Sequence, residues 1–311
     1  MAAIKSSTEL STAGRPGASR QGSELQRGRS LPVVYTVVLA LLVTVATVYG
    51  LVAHDAYRNV PELLQQTWRA QDAVNLAALP LLVWTARRAR NGSLRAHLVA
   101  VGVLTWITYG YANLAIGTPF NRMFLIYVTV LAMAGFAMLD GLVRVDPSAV
   151  RATFARAPRR VAAWFMIVSG TGIAGLWLSD IVVGLTGGTP ANLHLAGLPN
   201  PTWVLDLAWI IPVVIAAGVL LLRDRATGSL LAGVMLVMLL VLSVAMLTTI
   251  PFALFTGLSD DPAVAPQLVK FTVVFTLLGT IEAWLLATSA HRAARPAPIA
   301  WIRRGWWPDE K

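Results

Sequence analysis

The sequence contains no cysteine. This excludes disulfide bonds, thiolate nucleophiles and metal centres that depend on cysteine, such as iron–sulfur clusters and cysteine-ligated zinc. Charged residues are also scarce. They make up 13% of the 311 residues, whereas a soluble domain of this length has about 25%. The scarcity of charge argues against a soluble globular protein.

The sequence also lacks the short motifs of catalysis and nucleotide binding. It has no His-Glu-x-x-His, no Gly-x-Ser-x-Gly and no phosphate-binding loop. The four histidines lie near the ends of hydrophobic runs or between them, which argues against haem ligation by paired histidines at mid-membrane. They are His54, His97, His194 and His291. We expect no cofactor and no bound metal, and the sequence leaves open whether the protein is an enzyme.

Hydrophobic residues are abundant and occur in long runs. They make up 56% of the chain, and the mean hydropathy is +0.66. A helix needs about 20 apolar residues to cross a hydrocarbon core that is about 30 Å thick. The runs therefore predict an all-α membrane protein, a single bundle of about eight transmembrane helices. The predicted spans are 31–53, 64–86, 96–117, 121–143, 161–186, 203–222, 228–251 and 267–290.

The second predicted span is the weakest, because Gln71, Asp72, Asn75 and Pro80 interrupt it. Pro61 followed by Glu62 is typical of a helix start just before it. The first run, 31–53, is too long for the hydrophobic core of a signal peptide, which has about 7–15 residues. We therefore expect it to be retained as the first membrane helix.

Basic residues alternate with the hydrophobic runs. Of the 25 Lys and Arg residues, 21 lie in the two chain ends and in 87–95, 144–160 and 223–225. Positive charge on every second connection is typical of cytoplasmic loops. It predicts cytoplasmic N and C termini, with 54–63, 118–120, 187–202 and 252–266 as exterior loops. The arginine-rich, Ala/Val/Leu-rich composition suggests a high-GC bacterium and its cell membrane.

The net charge of +10 lies beside the predicted spans. Its expected partners are therefore the anionic headgroups of membrane lipids at the cytoplasmic face, and not nucleic acid. Residues 1–30 are rich in Gly and Ser, and we predict a disordered basic cytoplasmic tail. Residues 291–311 are a second basic cytoplasmic tail, in which Trp301, Trp306 and Trp307 accompany Arg303 and Arg304. A tryptophan–arginine mixture of this kind suits the headgroup layer.

The two halves of the chain share a short repeated sequence pattern. In each half an acid opens an even-numbered span, a proline interrupts it, and a basic turn ending in Gly-Ser-Leu leads to the next span. Asp72 and Pro80 correspond to Asp206 and Pro212. Both copies run in the same direction, so the pattern suggests a parallel repeat of four plus four spans.

Several polar side chains are predicted to lie in the outer half of the membrane. An ionisable group at the centre of a membrane helix costs about 2.5–3.5 kcal/mol, so such groups mark candidate functional sites. In this chain they suggest an outward-facing polar pocket in which Asp72, Asp180 and Asp206 face Arg122 and Lys270. The candidates are Asp72, Asn75, Tyr109, Asn113, Asn121, Arg122, Asp180, Asp206 and Lys270. Tyr109 and Asn113 continue a stripe that begins at Thr105.

An alternative places some of these groups at the lipid headgroups, where water solvates them. We favour it for Arg122, Asp206 and Lys270, and we favour function or internal pairing for Asp72 and Asp180. Glu282 lies apart from this group, about 22 Å into the last span. It is a candidate proton-carrying carboxylate, unless it reaches the cytoplasmic interface near Arg292.

Two further patterns concern packing. The run from Ser169 to Gly175 is rich in small residues and predicts close helix packing. The tryptophans of the hydrophobic runs lie mostly near span ends and predict interfacial belts. They are Trp68, Trp84, Trp106, Trp164, Trp177, Trp203, Trp209 and Trp284.

Four short segments together resemble an uncharacterised family of bacterial multi-pass integral membrane proteins that is common in actinobacteria. The segments are Gln71-Asp72 through Pro80, Tyr109-Gly110-Tyr111, Gly117-Thr118-Pro119-Phe120-Asn121-Arg122-Met123-Phe124-Leu125-Ile126-Tyr127, and Leu205-Asp206-Leu207-Ala208 with Pro212. The resemblance spans most of 31–290. It implies a polytopic inner-membrane fold and nothing about activity.

Three functions remain open at this point. The first is a transporter or permease-like protein with an outward-facing polar site. The second is a membrane-embedded enzyme that acts on a lipid-linked or extracytoplasmic substrate, with Asp72 and Asp180 as acid and base. The third is a non-catalytic membrane subunit or scaffold. A tunnel that connects Asp72 or Asp180 to Glu282 would favour transport, a pocket open sideways to lipid would favour the enzyme, and the lack of a cavity would favour the scaffold.

Overall fold

The computed structural model describes residues 33–53, 55–153, 155, 157–188, 190 and 199–292. The predicted tail 1–30, almost all of the predicted tail 291–311 and most of the predicted loop 187–202 lie outside the described residues. His54 and His194 lie outside them as well.

The described residues form nine helices and no strand. Eight of the helices are long and correspond one by one to the eight predicted spans, and a short helix, α5, lies between the fourth and fifth. The helices are α1 Val33–Val52, α2 Glu62–Arg90, α3 Leu94–Gly117, α4 Phe124–Arg144, α5 Pro147–Thr153, α6 Arg159–Leu185, α7 Pro201–Leu222, α8 Ala226–Phe255 and α9 Ala265–Arg292.

Seven of these helices, all except α2 and α5, are long and apolar enough to cross a membrane. Helix α2 has 29 residues, which is ample length, but its composition is too polar. Its polar side chains turn inward, since Gln66, Gln71, Asp72 and Asn75 are all buried. It packs against α1, α3 and α8. That α2 is also a membrane span stays a prediction. Its polar composition agrees with a position inside the bundle, where these side chains are buried.

Helices α3 and α8 form the centre of the bundle. They contact each other, and α8 also contacts α2, so that these contacts join the two halves of the chain. Helices α6 and α9 are the most exposed of the long apolar helices, and large apolar side chains such as Val168 and Val273 point outward from them. Outward-facing apolar surface is what a membrane bundle presents to lipid. Helices α3 and α8 are also equivalent positions in the predicted repeat, which itself stays a prediction.

Three of the basic segments converge at one end of the bundle. Arg151 and Arg159 both bind the carboxylate of Asp224, at 2.7 and 2.6 Å. A cluster of apolar side chains, which includes Leu94 and Val150, packs at the same end. The arrangement agrees with the alternation of charge along the chain. That this end faces the cytoplasm stays a prediction.

Glycines mark the close contacts between helices. A Cβ atom at Gly102 in α3 would lie 2.5 Å from Cβ of Val237 and 2.9 Å from the carbonyl oxygen of Val234, both in α8. In the run of small residues in α6, Gly170 packs against α7. Gly172 and Gly175 have open space beside them, so the prediction of close packing is confirmed at Gly170 and wrong at the other two.

We predict that Gly102→Ala lowers the free energy of unfolding by about 1–3 kcal/mol, because the added methyl group overpacks the α3–α8 contact. Gly172→Ala is the matched control. It adds the same methyl group to a helix where nothing lies within 4 Å, so its stability should be unchanged or higher. Thermal unfolding of the two purified variants, followed by circular dichroism, makes the comparison. Equal stability of the two variants would contradict the close α3–α8 packing.

Candidate functional site

The polar side chains inside the bundle form two separate groups. The first, which we call the Asp72 centre, consists of Asp72, Gln71 and Asn75 on α2 together with Tyr57, which lies between α1 and α2. The second is a cavity between α6, α7, α8 and α9, lined by Asp206 and Glu282. We call it the Asp206–Glu282 cavity.

Asp72 is fully buried. Its Oδ2 atom accepts a hydrogen bond from the hydroxyl of Tyr57 at 2.5 Å. Tyr57 reaches the carboxyl because the segment that follows α1 folds back into the bundle and buries Ala56, Tyr57 and Val60. Burial, and then the charge of Asp72, raises the pKa of Tyr57 well above its usual value. The phenol is therefore neutral and acts as the hydrogen-bond donor.

Glycine is required where α1 passes this carboxyl. A Cβ atom at Gly50 would collide with the Oδ2 atom of Asp72 and would lie 2.5 Å from the hydroxyl of Tyr57. The ring of Trp68 packs on Tyr57 from another side, with ring centroids 5.3 Å apart. The carboxyl group is therefore enclosed by the α1 backbone and aromatic rings.

The neighbours of Asp72 on α2 turn toward α3. The Oδ1 atom of Asn75 accepts a hydrogen bond from the indole N–H of Trp106 at 2.8 Å. The amide of Gln71 lies against Gly110. Three buried atoms of this centre have no hydrogen-bond partner among the described residues: Asp72 Oδ1, Gln71 Nε2 and Asn75 Nδ2. Buried polar atoms without a partner are rare in folded proteins, and each needs an explanation such as a bound water, an ion or a catalytic role.

Asp206 lies where α7 departs from regular α-helical geometry. Residues Asp206–Ile210 form a π-helical turn, and Pro212 follows it after one residue. Proline has no N–H to donate to the preceding turn, and π-helical turns occur frequently at functional sites. The irregular turn places the Asp206 carboxylate inside the bundle, where the side chain is only 8% exposed.

The two oxygens of Asp206 connect three helices. Oδ1 accepts a hydrogen bond from the hydroxyl of Tyr109 on α3, and Oδ2 accepts one from the indole of Trp177 on α6, each at 2.9 Å. One turn further along α3, the Oδ1 atom of Asn113 accepts a hydrogen bond from the hydroxyl of Thr202 on α7 at 3.0 Å. Asp206 is therefore held by protein donors and is largely shielded from water, unlike a water-solvated carboxylate at the headgroups. Its depth in the membrane stays a prediction.

Glu282 is buried on α9, and its Oε2 atom accepts a hydrogen bond from the hydroxyl of Ser243 on α8 at 2.8 Å. The alternative that it reaches the interface near Arg292 is therefore wrong. Its expected separation from the other acids is also wrong, because Glu282 and Asp206 line the same cavity.

The Asp206–Glu282 cavity is small and mostly apolar. It leaves about 30 Å³ for the centres of water molecules, and one water needs about 10–15 Å³ of such space. Its polar lining consists of Ser169, Asp206, Ser243 and Glu282. The remaining wall is formed by aliphatic side chains, by Gly170 and by the ring of Phe275.

The other predicted site residues do not join these groups. Arg122 and Lys270 are exposed, and the described partners of Asp72 and Asp206 are tyrosine and tryptophan side chains, not cations. Asn121 accepts a hydrogen bond from the N–H of Met123 at the start of α4. Asp180 is half-buried on α6 and does not line the cavity. The predicted outer pocket of acids paired with Arg122 and Lys270 is therefore absent around Asp72 and Asp206.

The sequence interpretation missed several partners. Tyr57 has no motif that links it to Asp72, and Ser243 lies in an otherwise apolar run. Trp106 and Trp177 were assigned to interfacial belts, but their indoles donate to Asn75 and Asp206. One signal was available in the sequence. Each tryptophan shares its helix with a candidate site residue, Trp106 with Tyr109 and Trp177 with Asp180.

The two groups share one chemical property. Each buried carboxyl is contacted by hydroxyl or indole donors, all of them neutral. Within the described part of the chain, no group of three or more His, Cys, Asp or Glu side chains could hold a metal ion. A carboxyl group in such surroundings can take up a proton or a single positive charge.

Comparison with known proteins finds no matching family model, no similar curated protein and no similar solved structure. The resemblance to an actinobacterial membrane family therefore stays a prediction. What the described part of the chain supports directly is an all-helical fold with seven helices that could span a membrane.

We predict that Trp177→Phe lowers the free energy of unfolding by about 1–3 kcal/mol, because it leaves a buried carboxylate oxygen of Asp206 without its donor. Trp209→Phe is the matched control. It changes the same residue type in the π-helical turn, on a side chain that is 71% exposed, and should shift stability by less than about 0.5 kcal/mol. Thermal unfolding in lipid nanodiscs measures both. An equal loss in the two variants would show that the indole of Trp177 does not stabilise Asp206.

Proposed function

We propose that the chain is a transporter or permease-like protein of a bacterial cell membrane, and that the Asp206–Glu282 cavity is the polar site through which its solute or ion passes. One observation carries this proposal. Two carboxyl groups from different helices line a single cavity inside the bundle. In a membrane protein, ionisable side chains in the interior typically mark substrate or ion pathways.

The partners of the two carboxyls support this assignment. Ser243, Tyr109 and Trp177 are neutral donors that orient the carboxyls without cancelling a negative charge. A permanent ion pair would occupy the site and hold the helices together. With neutral partners, an entering proton or small cation can balance the charge and leave again.

The irregular geometry of α7 supports it further. The π-helical turn Asp206–Ile210 and Pro212 interrupt the helix beside the cavity. Interrupted helices at the substrate site are common in transporters, because they free backbone groups and allow one part of a helix to move. In the topology predicted from the charges, Asp206 lies near the outer end of α7. We therefore propose that the site is reached from the outer face.

The cavity argues against a scaffold. A scaffold needs neither a cavity nor carboxyls without counter-charges. The basic end of the bundle would bind anionic lipid headgroups, as expected for the cytoplasmic face.

We predict that the thiol of Ser243→Cys or Ser169→Cys reacts with a membrane-impermeant methanethiosulfonate reagent added to the outside of intact cells. The chain has no native cysteine, so each Ser→Cys variant carries a single thiol of nearly unchanged size. Ser169 and Ser243 both line the cavity, and a transporter must expose its cavity to water during its cycle.

The matched control is Val168→Cys, next to Ser169 but on the exposed apolar face of α6. A thiol there faces lipid and should not react with the water-soluble reagent. If the cavity variants label no faster than Val168→Cys from either side of the membrane, the transporter is contradicted and the scaffold is favoured. Labelling by a lipid-soluble maleimide alone would favour the membrane-embedded enzyme.

A further inference from the structure

The Asp72 centre is separate from the proposed transport cavity, and none of its residues lines that cavity. We propose that Asp72 is a proton-binding site, and that its proton exchanges with the outer face through the hydroxyls of Tyr57, Tyr127 and Tyr49. Its role as the site that couples proton binding to transport rests on the proposed function. The binding of the proton does not.

The surroundings of the carboxyl group require a proton or another positive charge. Asp72 is fully buried, its Oδ2 has one neutral donor, and its Oδ1 has no hydrogen-bond partner. Among the described residues no cation forms an ion pair with it, Arg69 one turn earlier on α2 included. A bare carboxylate in this position would be costly, and a bound proton removes that cost.

The packing favours a proton over a metal cation. The backbone of α1 at Gly50 lies directly against the Oδ2 atom, and the rings of Tyr57 and Trp68 close another side. A calcium ion takes about 6–8 oxygen ligands, and magnesium takes about six in a strict octahedron. The Asp72 centre contains one carboxyl group, one phenol and two side-chain amides, of which the Asn75 oxygen already accepts from Trp106, so it offers fewer ligands than either ion requires.

Tyrosine hydroxyls lead from this carboxyl toward the outer surface. The hydroxyl of Tyr57 is bonded to Asp72. The buried hydroxyl of Tyr127 lies within electrostatic range of Tyr57 and Tyr49 but has no hydrogen-bond partner among the described residues, so proton transfer here requires the hydroxyls to move together. The hydroxyl of Tyr49 donates to Asp55 at 3.5 Å, and the side chain of Asp55 is exposed. Each hydroxyl can donate one proton and accept another. In the proposed route, a proton that enters from water at Asp55 displaces one proton along these hydroxyls once Tyr127 bridges Tyr57 and Tyr49, and Asp72 gains one.

Few other ionisable groups face this site. Tyr49 comes from α1, Asp55 and Tyr57 from the segment after it, Tyr111 from α3 and Tyr127 from α4. Helix α8, which also packs on α2, contains no ionisable side chain. Burial is the largest cause of the raised pKa of Tyr57 and keeps its phenol neutral, so that it relays protons without ionising.

Infrared spectra of the full-length protein in liposomes, with 13C-labelled aspartate, test the proposal. The wild-type spectrum minus that of Asp72→Asn should contain the C=O stretch of a carboxylic acid. Transfer to D2O should shift that band, because the proton exchanges with water. Loss of a carboxylate band instead, or an acid band that does not shift in D2O, would overturn the proposal.

Asp140→Asn is the matched control for the band. Asp140 is ion-paired with Arg144 at 2.6 Å, so its removal should delete a carboxylate band.

The route through the hydroxyls has its own test. Tyr49→Phe should slow the shift of the acid band in D2O. Tyr35→Phe, in the same helix but with its hydroxyl bonded to the carbonyl of Met133, should leave the rate unchanged. Equal rates in the two variants would exclude the route through Tyr49.

Should Asp72→Asn fail to fold, Tyr57→Phe tests the same site. It removes the donor to Oδ2 and should move the frequency of the acid band, and an unmoved band would contradict the assignment. The outcome is separable from that of the proposed function. Labelling at position 243 without an acid band at Asp72 would overturn the proton site alone. An acid band without labelling would overturn the transporter alone.

Discussion

Hydrogen bonds from neutral donors offset the free-energy cost of burying carboxyl groups in this apolar bundle, and the rest of the structure depends on them. Asp72, Asp206 and Glu282 are all buried, and each is contacted by neutral hydroxyl or indole donors. Hydrogen bonds of this kind orient a carboxyl without fixing its charge. The three groups are therefore stable in the bundle and still able to change protonation or bind a cation. Both proposals rest on this combination.

Helix α3 connects the two polar groups. Trp106 donates to Asn75 in the Asp72 centre, and Tyr109, three residues later, donates to Asp206 beside the cavity. Gly110, the next residue, lies against the amide of Gln71. About one turn of one central helix thus contacts both groups. Asp206 is bonded to this turn directly, and Asp72 is joined to it through its α2 neighbours Gln71 and Asn75, which gives the two sites a short physical connection.

The sequence predicted much of the fold, because span length and the alternation of basic residues follow from the thickness and polarity of the bilayer. It also identified Asp72, Asn75, Tyr109, Asn113, Asp206 and Glu282 as the polar residues of interest. It could not predict which of them meet. That Asp206 and Glu282 share a cavity depends on how α7 and α9 pack laterally, and depth along a helix does not determine lateral packing. The donors Tyr57, Trp177 and Ser243 were missed for the same reason.

The polarity of α2 has a consequence for the biogenesis of the protein. If α2 spans the membrane as predicted, its composition gains little from lipid contact alone. Its polar Gln66, Gln71, Asp72 and Asn75 are buried where α1, α3 and α8 pack against α2. Since α8 is synthesised long after α2, membrane insertion of α2 and packing of the bundle would then be coupled.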